Sequence, residues 1–274
     1  DALISALGKD LLQDSLQRPS DVALFIIPKG LFRTSAKVML TAGARLVAQW
    51  ATDDTSFKKG FSVYAAYSAG EQFLIVKIEL PLDDPAFQSI TKKYLAAYRF
   101  ERQIWSLFGI LPEGHPDLRP WIKHEDWPET TYPLRKTHDG KTRIPMSAGD
   151  YLWVRAEGQG VYEIPVGPVH AGIIEPGHFR FQAVGEDIIN LEARLGYTHK
   201  GIEKRFEQMD WVSAARLAGR VSGDTSVGHA TAYCQAVEAA SETCVPLRAE
   251  YLRAILLERE RIANHLGDIG AICN

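Results

Sequence analysis

The sequence is poor in cysteine and lacks the spacings that make cysteines structural. Its 274 residues include three cysteines, Cys234, Cys244 and Cys273, and no C-x-x-C pair. A disulfide framework needs an even, dense set of thiols, and a zinc ribbon needs thiols paired at short spacing. Both are therefore excluded, and the composition suits a reducing, cytoplasmic environment.

Long apolar runs, a charge excess of one sign and nucleotide-binding loops are missing as well. The longest strictly apolar run, 22–27, is about six residues, whereas a membrane-spanning helix needs ~20. The 31 basic and 34 acidic side chains leave a net charge of −3, which argues against nucleic acid as a partner. Neither G-x-G-x-x-G nor G-x-x-x-x-G-K-[ST] occurs, so the chain offers no recognisable cradle for NAD or ATP.

The N-terminal half is typical of an α+β domain. The segments predicted before residue 85 are β-rich runs at 22–27, 45–52 and 61–80, the last split by a turn at 68–70, and a short helix at 35–41. From Pro85 to Phe108 apolar residues recur at three- and four-residue steps, which predicts one amphipathic helix ended by Gly109. Strands followed by a helix on one face predict an α/β sandwich.

The second half changes character after a segment rich in proline. Residues 111–143 are predicted to be a long extended arm or a linker. The strands predicted beyond it are 151–154, 161–166, 179–184 and 188–195, the last two as a hairpin, and the helices are 202–208, 211–217, 226–240 and 247–273.

The predicted fold class is therefore α+β with two domains. An α/β sandwich domain occupies 1–143, and a domain over 144–274 has a small β cap leading into a helical bundle. Because the last helical pattern carries no cap at residue 274, we expect a C-terminally truncated piece of a longer polypeptide.

Four histidines fall at predicted element boundaries, where functional side chains collect: His170, His178, His199 and His229. A histidine at such a position either binds a ligand or bonds to a carbonyl group, and the sequence leaves both roles open. No G-x-S-x-G elbow is present and no cysteine has a nucleophile context, so Ser-His-Asp hydrolysis has no support.

A polar turn, RVSGDTSVGH, runs from Arg220 to His229 into the predicted helix 226–240. The side chains able to cap this helix are Ser222, Asp224 and Ser226. The partial positive charge at the helix N-terminus would favour an anion or a polar head group. Capping does not explain the arginine and the histidine that flank the turn.

Charged side chains also share one face of the last predicted helix. Glu258, Arg261 and His265 are spaced by three and four residues, so they form a ladder that is either solvated or, if buried, ion-paired. For Glu203, too, the sequence leaves open whether the side chain is solvated or buried in an ion pair.

Two sets of motifs resemble known respiratory subunits. The first set resembles the 30-kDa-type peripheral-arm subunit of NADH:quinone oxidoreductase, complex I: FERQIWSLFGI at 100–110, GHPDLR at 114–119 and YPLRK at 132–136. The second resembles the adjacent 49-kDa-type subunit, a relative of the nickel–iron hydrogenase large subunit: GPVH at 167–170, EPGHFR at 175–180, HKGIEK at 199–204 and the helix from Arg253 to His265. Both sets in one chain resemble the fused large subunit of formate-hydrogenlyase-type hydrogenases.

The resemblance, which covers roughly residues 20–274, implies a component of an oxidoreductase complex that is not active alone. It implies packing against an iron–sulfur subunit, whose cluster supplies electrons, and docking on membrane-arm subunits at the cytoplasmic face of the inner membrane. We expect no cofactor bound by this chain itself, a quinone or another small oxidant as acceptor, and NAD only elsewhere in such a complex.

The chain departs from the hydrogenase pattern in the turn before residue 226. Where the hydrogenases read R-x-C-G-x-C and hold nickel and iron through thiolates, this chain has Ser222 and Thr225. A hydroxyl is a hard donor with a pKa far above that of a thiol, so it does not replace a thiolate at such a centre. We therefore expect no metal site here.

In complex I the corresponding region forms a quinone site, and the resemblance implies roles for individual residues. His178 matches a histidine that binds the quinone head group, whereas Gly223 stands where that family has a tyrosine. Arg220 matches an arginine near the partner's terminal iron–sulfur cluster, where a fixed positive charge raises the reduction potential.

Three further residues complete the expected site. Asp224 and His229, with His178, would orient or protonate the acceptor, and His170 would lie beside the cluster or the quinone cavity. The leading prediction is therefore a subunit of a complex I-like or hydrogenase-related complex, with an acceptor cavity between the β cap and the bundle. Two alternatives stay open: a non-catalytic scaffold, which Gly223 favours, and a working nickel–iron hydrogenase large subunit.

Overall fold

The computed structural model describes residues 13–17, 22–123, 127–145, 151–169 and 175–273. The strands in these ranges are β1 (Gln13–Gln17), β2 (Val22–Ile26), β3 (Arg45–Asp53), β4 (Phe61–Ala69), β5 (Gln72–Leu80), β6 (Ala86–Gln88), β7 (Leu111–Glu113), β8 (Val161–Val169), β9 (Gly177–Val184) and β10 (Asp187–Arg194). The α-helices are α1 (Phe32–Thr41), α2 (Ala97–Phe108), α3 (Ile202–Phe206), α4 (Trp211–Ala218), α5 (Ser226–Ala240) and α6 (Leu247–Cys273).

The first five strands form one sheet in the order β1-β2-β5-β4-β3. β2 runs parallel to β5, and the other neighbouring strands are antiparallel. Gly70, with φ of +60°, lies in the tight turn between β4 and β5, as the turn signal predicts. Alternate residues of β4, namely Val63, Ala65 and Tyr67, are fully buried, so one face of the sheet carries the core.

Two helices supply the other side of this core. Phe32 of α1 is fully buried and its ring meets that of Phe87 edge-on, with centroids 5.7 Å apart. α2 packs against β3 and buries Ala97 and Ile104. The mixed α/β architecture predicted for the N-terminal half is confirmed.

The long helix predicted from Pro85 is wrong in its start, because the structure begins α2 only at Ala97. Phe87 lies in β6, which pairs in parallel with β7, and Ile90 and Tyr94 are buried in turns. The periodic spacing of these three residues therefore reflects their burial in a segment that is not helical. Gly109 does end α2, in the left-handed conformation at φ +68°.

The predicted hairpin of the second half is present as β9 and β10, which belong to a three-stranded sheet in the order β10-β9-β8. The strand predicted at 151–154 is wrong, since residues 151–157 lie in no strand. Side chains satisfy this backbone instead: Arg119 donates to the carbonyl oxygen of Leu152 at 2.9 Å, and the amide of Ala156 donates to Gln182 Oε1 at 2.7 Å. A segment bonded in this way needs no neighbouring strand.

The helices after residue 201 follow the sequence pattern closely. α5 and α6 have the predicted bounds, whereas α3 is shorter than predicted. Asp210 caps α4, and its carboxylate accepts the amides of Val212 and Ser213 at 3.0 and 2.9 Å.

Helix α6 packs on α5 through polar side chains and exposes apolar ones. Arg253 binds both carboxylate oxygens of Glu238 on α5, at 2.5 and 2.8 Å. The large apolar side chains that α6 leaves exposed include Leu247, Tyr251, Ile255, Ile262, Leu266 and Ile269. α6 itself contributes no buried residue.

The chain divides into two compact units. The first comprises Asp1–Pro168 with Gly177–Tyr197, and the second comprises Val169–Pro176 with Thr198–Asn274. Within the first unit, Arg119 binds Glu192 of β10 at 2.6 Å. Of the helices in the described ranges, none is long and apolar enough to cross a membrane.

Candidate functional site

The turn that the sequence singles out leads into the N-terminus of α5. Thr225 is the N-cap residue, and its side chain makes no cap hydrogen bond to the described helix. The Ser222 hydroxyl donates to the carboxylate of Asp224 instead. The caps predicted from Ser222, Asp224 and Ser226 are thus replaced by an acceptor from another helix.

That acceptor is Glu260 of α6. Its Oε2 lies 2.5 Å from the amide nitrogen of Val227, and its Oε1 lies 3.0 Å from that of Gly228. One helical turn along α6, Asn264 Nδ2 donates to the backbone oxygen of Asp224 at 2.7 Å. A single face of α6 therefore binds the turn at Asp224 and at the first amides of α5.

Neither Glu260 nor Asn264 is among the site residues predicted from the sequence. Their spacing of four residues places them on one helix face, and this is the signal that the sequence offers for them. A capping acceptor that comes from a different helix leaves no local pattern around the turn, so the cap signals near residue 226 do not reveal it.

A cleft of about 920 Å³ lies between this turn and α6. Its polar lining consists of Asp224, Thr225, Glu258, Glu260, Arg261, Asn264, His265 and Asp268. Glu258 and Arg261 form an exposed ion pair, so the charge ladder predicted on this helix is the solvated kind.

Asp224 is the exposed carboxylate at the tip of the turn. A hydrogen bond from Ser222 lowers its pKa below the ordinary aspartate value, and the nearby His229 contributes in the same direction. The ring nitrogen Nδ1 of His229 lies 3.0 Å from the backbone oxygen of Thr225. His229 therefore bonds to a carbonyl group, the structural role that the sequence left open.

The two hydroxyls at the expected cysteine positions have different environments. Ser222 is bonded to Asp224, whereas the buried Thr225 Oγ1 has no hydrogen-bond partner among the described residues. In those residues, no three His, Cys, Asp or Glu side chains lie close enough together to hold a metal ion. Hydroxyl donors in this arrangement do not fit a nickel–iron centre, which needs soft thiolates.

The turn is also anchored from the segment 199–204. Lys200 Nζ donates to the backbone oxygen of Val221 at 3.0 Å and pairs with Glu175 at 2.9 Å. This ion pair holds the pKa of Glu175 below its usual value. His199 and Glu203 approach each other to 4.0 Å, and Arg220 is exposed.

Two further predicted site residues, His178 and His170, are not part of the turn. His178 is a residue of β9 in the first compact unit, whereas Arg220, Asp224 and His229 belong to the second. Its Nδ1 lies 3.2 Å from the backbone oxygen of Gly167, its Nε2 accepts from Arg180 at 3.3 Å, and its ring packs on Trp153. His170 lies outside the described residues.

Residues 28–143 match the family described as respiratory-chain NADH dehydrogenase, 30 Kd subunit. Over 240 residues the chain is 35% identical to formate hydrogenlyase subunit 5 of Escherichia coli (strain K12), a match that covers 85% of this chain and 42% of that protein. Hydrogenase-4 component G of the same strain is 36% identical over 229 residues, covering 81% and 41%.

A third relative is the C/D subunit of the NADH-quinone oxidoreductase of Methylococcus capsulatus (strain ATCC 33009 / NCIMB 11132 / Bath). It is 31% identical over 211 residues, which cover 70% of this chain and 35% of that protein. The chain thus spans less than half the length of these relatives. Residues 28–143 thus match the 30 Kd subunit family, and the chain is homologous to subunits of formate hydrogenlyase, hydrogenase-4 and NADH-quinone oxidoreductase, as its motifs indicate.

Proposed function

We propose that this chain is part of a subunit of a membrane-associated oxidoreductase complex of the complex I or hydrogenase type, and that it lacks a nickel–iron centre. In this proposal the chain packs against an iron–sulfur subunit and docks on membrane-arm subunits at the cytoplasmic face of the inner membrane. The cleft between the turn 222–228 and α6 receives a quinone or another small acceptor. Electrons come from the partner's cluster.

The observation that carries this proposal is the turn itself. It has hydroxyls where the resemblance to hydrogenases places thiolates, yet Glu260 and Asn264 of α6 hold it firmly against an open cleft. A turn that is held in place but carries hydroxyls instead of thiolates is suited to binding an organic acceptor rather than a metal. Asp224, ionised and exposed at the mouth of the cleft, is the group best placed to orient that acceptor by accepting a hydrogen bond from it.

Metal analysis of the native complex tests the first part. We expect iron from the partner's clusters and no stoichiometric nickel. Nickel at one atom per complex, together with hydrogen uptake, would restore the hydrogenase alternative.

Substitution within the cleft tests the second part. Asp224→Asn keeps the size of the side chain and removes its charge and proton-accepting capacity. We expect the complex to assemble with all its subunits while acceptor reduction falls by roughly tenfold or more, since a hydrogen bond to a charged group contributes about 1.5–3 kcal/mol. His178→Ala in the same assay measures the contribution of the residue that the resemblance assigns to the head group.

A non-catalytic scaffold is the second candidate, and the surroundings of His178 favour it. Both ring nitrogens of that histidine have partners in or next to the three-stranded sheet, and Gly223 offers no hydroxyl to a head group. In a scaffold, Asp224→Asn and His178→Ala both leave electron flow unchanged. Loss of electron flow in a fully assembled Asp224→Asn complex would exclude this candidate.

Arg220 is the residue we assign to the partner's cluster. Its guanidinium is always charged and the residue is exposed, so it is available to a second subunit. A positive charge beside the cluster stabilises the reduced form. We expect Arg220→Ala to lower the cluster's midpoint potential in a redox titration followed by electron paramagnetic resonance, and Arg220→Lys to restore most of it.

A further inference from the structure

The first amides of α5 already have an anionic partner from within the protein. A helix N-terminus attracts anions because its unpaired amides and partial positive charge lie together. Here the carboxylate of Glu260 accepts from Val227 and Gly228 at 2.5 and 3.0 Å. The position that a ligand carboxylate, phosphate or sulfate would take is thereby filled by a side chain of α6.

Carboxylates outnumber the basic side chains in the rest of the lining, where the basic residues are Arg261 and His265. Asp224, Glu258 and Asp268 add three carboxylates to that of Glu260, and the arginine of the lining, Arg261, is paired with Glu258. The pKa of Asp224 is lowered, so this group is ionised at neutral pH. An anion entering the cleft would meet like charges and would find the amides of Val227 and Gly228 already occupied.

We propose that Glu260 is the specificity-determining residue of the cleft: by occupying the amides of Val227 and Gly228, it closes the site to anionic acceptors. This inference rests on the proposed function for the identity of the acceptor. The exclusion of anions does not depend on electron transfer, so the two ideas can fail separately.

The helix supplies a matched control. Glu258 lies on the same helix and lines the same cleft, but it binds Arg261 rather than the amides of α5. Glu258→Ala and Glu260→Ala therefore remove the same charge, while only the second leaves two helix amides unpaired. A comparison of the two variants separates specific occupation of the amides from a general change in potential.

The probe is inorganic sulfate, titrated into the 274-residue chain while the amide resonances of Val227 and Gly228 are followed by NMR. We expect saturable shifts in Glu260→Ala, with sulfate bound roughly tenfold or more tighter than in the parent chain or in Glu258→Ala. Equal sulfate binding by the parent chain, or equal gains in both variants, would overturn the proposal. Absence of binding to a Glu260→Ala chain whose α5 resonances remain helical would also overturn it.

Glu260→Gln provides a second test if the turn unfolds in Glu260→Ala. The amide side chain keeps one oxygen acceptor for the helix and removes the charge, so we expect sulfate affinity between those of the parent and Glu260→Ala. A folded Glu260→Gln chain that excludes sulfate as fully as the parent would refute the role of the carboxylate. An uncharged, water-soluble quinone analogue titrated in parallel reports on the proposed function alone.

Discussion

At the residue scale, Gly109 shows how two of the recognised motifs depend on each other. It ends α2 at φ +68°, and a Cβ placed on it would lie 2.5 Å from the ring of Tyr132. Tyr132 begins the YPLRK motif, so the aromatic ring of the arm packs directly on the glycine that terminates the helix. A side chain at position 109 would therefore collide with the ring of Tyr132.

Gly109→Ala should therefore destabilise the first unit by about 2–4 kcal/mol, from left-handed strain and from displacement of the Tyr132 ring. Urea unfolding measures this loss. Gly43→Ala is the matched control, since Gly43 has φ of +75° and its added Cβ would meet no described atom within 4 Å. If the two variants lose equal stability, the ring contact contributes nothing.

Asp117 of the GHPDLR motif is the second residue whose role depends on the folded structure. Burial raises its pKa, but hydrogen bonds from Arg119 and Tyr98 outweigh that effect and leave the pKa well below the usual aspartate value. Because the folded-state pKa is depressed, the carboxylate stabilises the fold above pH ~4 and loses this contribution as the pH falls further.

We expect Asp117→Asn to cost on the order of 3 kcal/mol at pH 7, since it removes a charged acceptor from two arginines. Its stability should then fall less steeply than that of the parent chain between about pH 4 and pH 2. Unfolding curves at several pH values check this. Parallel pH profiles for the two chains would show that Asp117 does not titrate with the fold.

At the element scale, the start of α2 separates what sequence periodicity predicts from what it does not. Phe87, Ile90 and Tyr94 are buried as their spacing predicts, but the helix begins only at Ala97. Glu101, fully buried, accepts from Ser89 Oγ at 2.5 Å, from the amide of Ile90 at 2.8 Å and from Thr91 Oγ1 at 2.8 Å. These hydrogen bonds hold residues 89–91 in a turn. The spacing of hydrophobic residues in the sequence does not reveal such bonds.

Hydrogen bonds from distant side chains also explain why residues 151–154 do not form the predicted strand. Gln182 of β9 accepts from the amide of Ala156 and donates to the carbonyl oxygen of Val154, and thereby replaces a strand neighbour. In contrast, β4, β5, α5 and α6 depend on local turns, alternation and helix propensity, and their bounds are predictable from the sequence. Segments held by distant side chains are not.

Glu101→Ala should unfold the turn and cost about 3–5 kcal/mol, because it leaves buried donors of three neighbouring residues without an acceptor. Glu101→Gln keeps one oxygen acceptor but places a donor against other donors, so we expect an intermediate loss. Thermal or urea unfolding gives both values. A Glu101→Ala chain as stable as Glu101→Gln would mean that water replaces the carboxylate and that the turn does not need it.

At the scale of the whole molecule, the two compact units differ in how well their backbone hydrogen bonds are shielded. β4 and β5 are interior strands of the five-stranded sheet and bury Val63, Ala65, Val76 and Ile78 completely. α5 and α6 contribute no buried residue. The cleft thus lies on the less shielded unit, as is usual for elements that bind ligands.

Hydrogen exchange of the 274-residue chain should reflect this difference. We expect amides of β4 and β5 to exchange on the order of 10²-fold or more slowly than those of α6, because local opening exposes α6 without breaking a buried core. The amides of Val227 and Gly228 should exchange no more slowly than those of α6, since their acceptor, Glu260, lies on that helix. Glu260→Ala should abolish the protection that they have while leaving β4 and β5 unchanged. If the amides of α6 were as protected as those of β4, another surface would have to bury the exposed apolar side chains of α6 in solution. Protection that changes with chain concentration would identify that surface as a second copy of the chain.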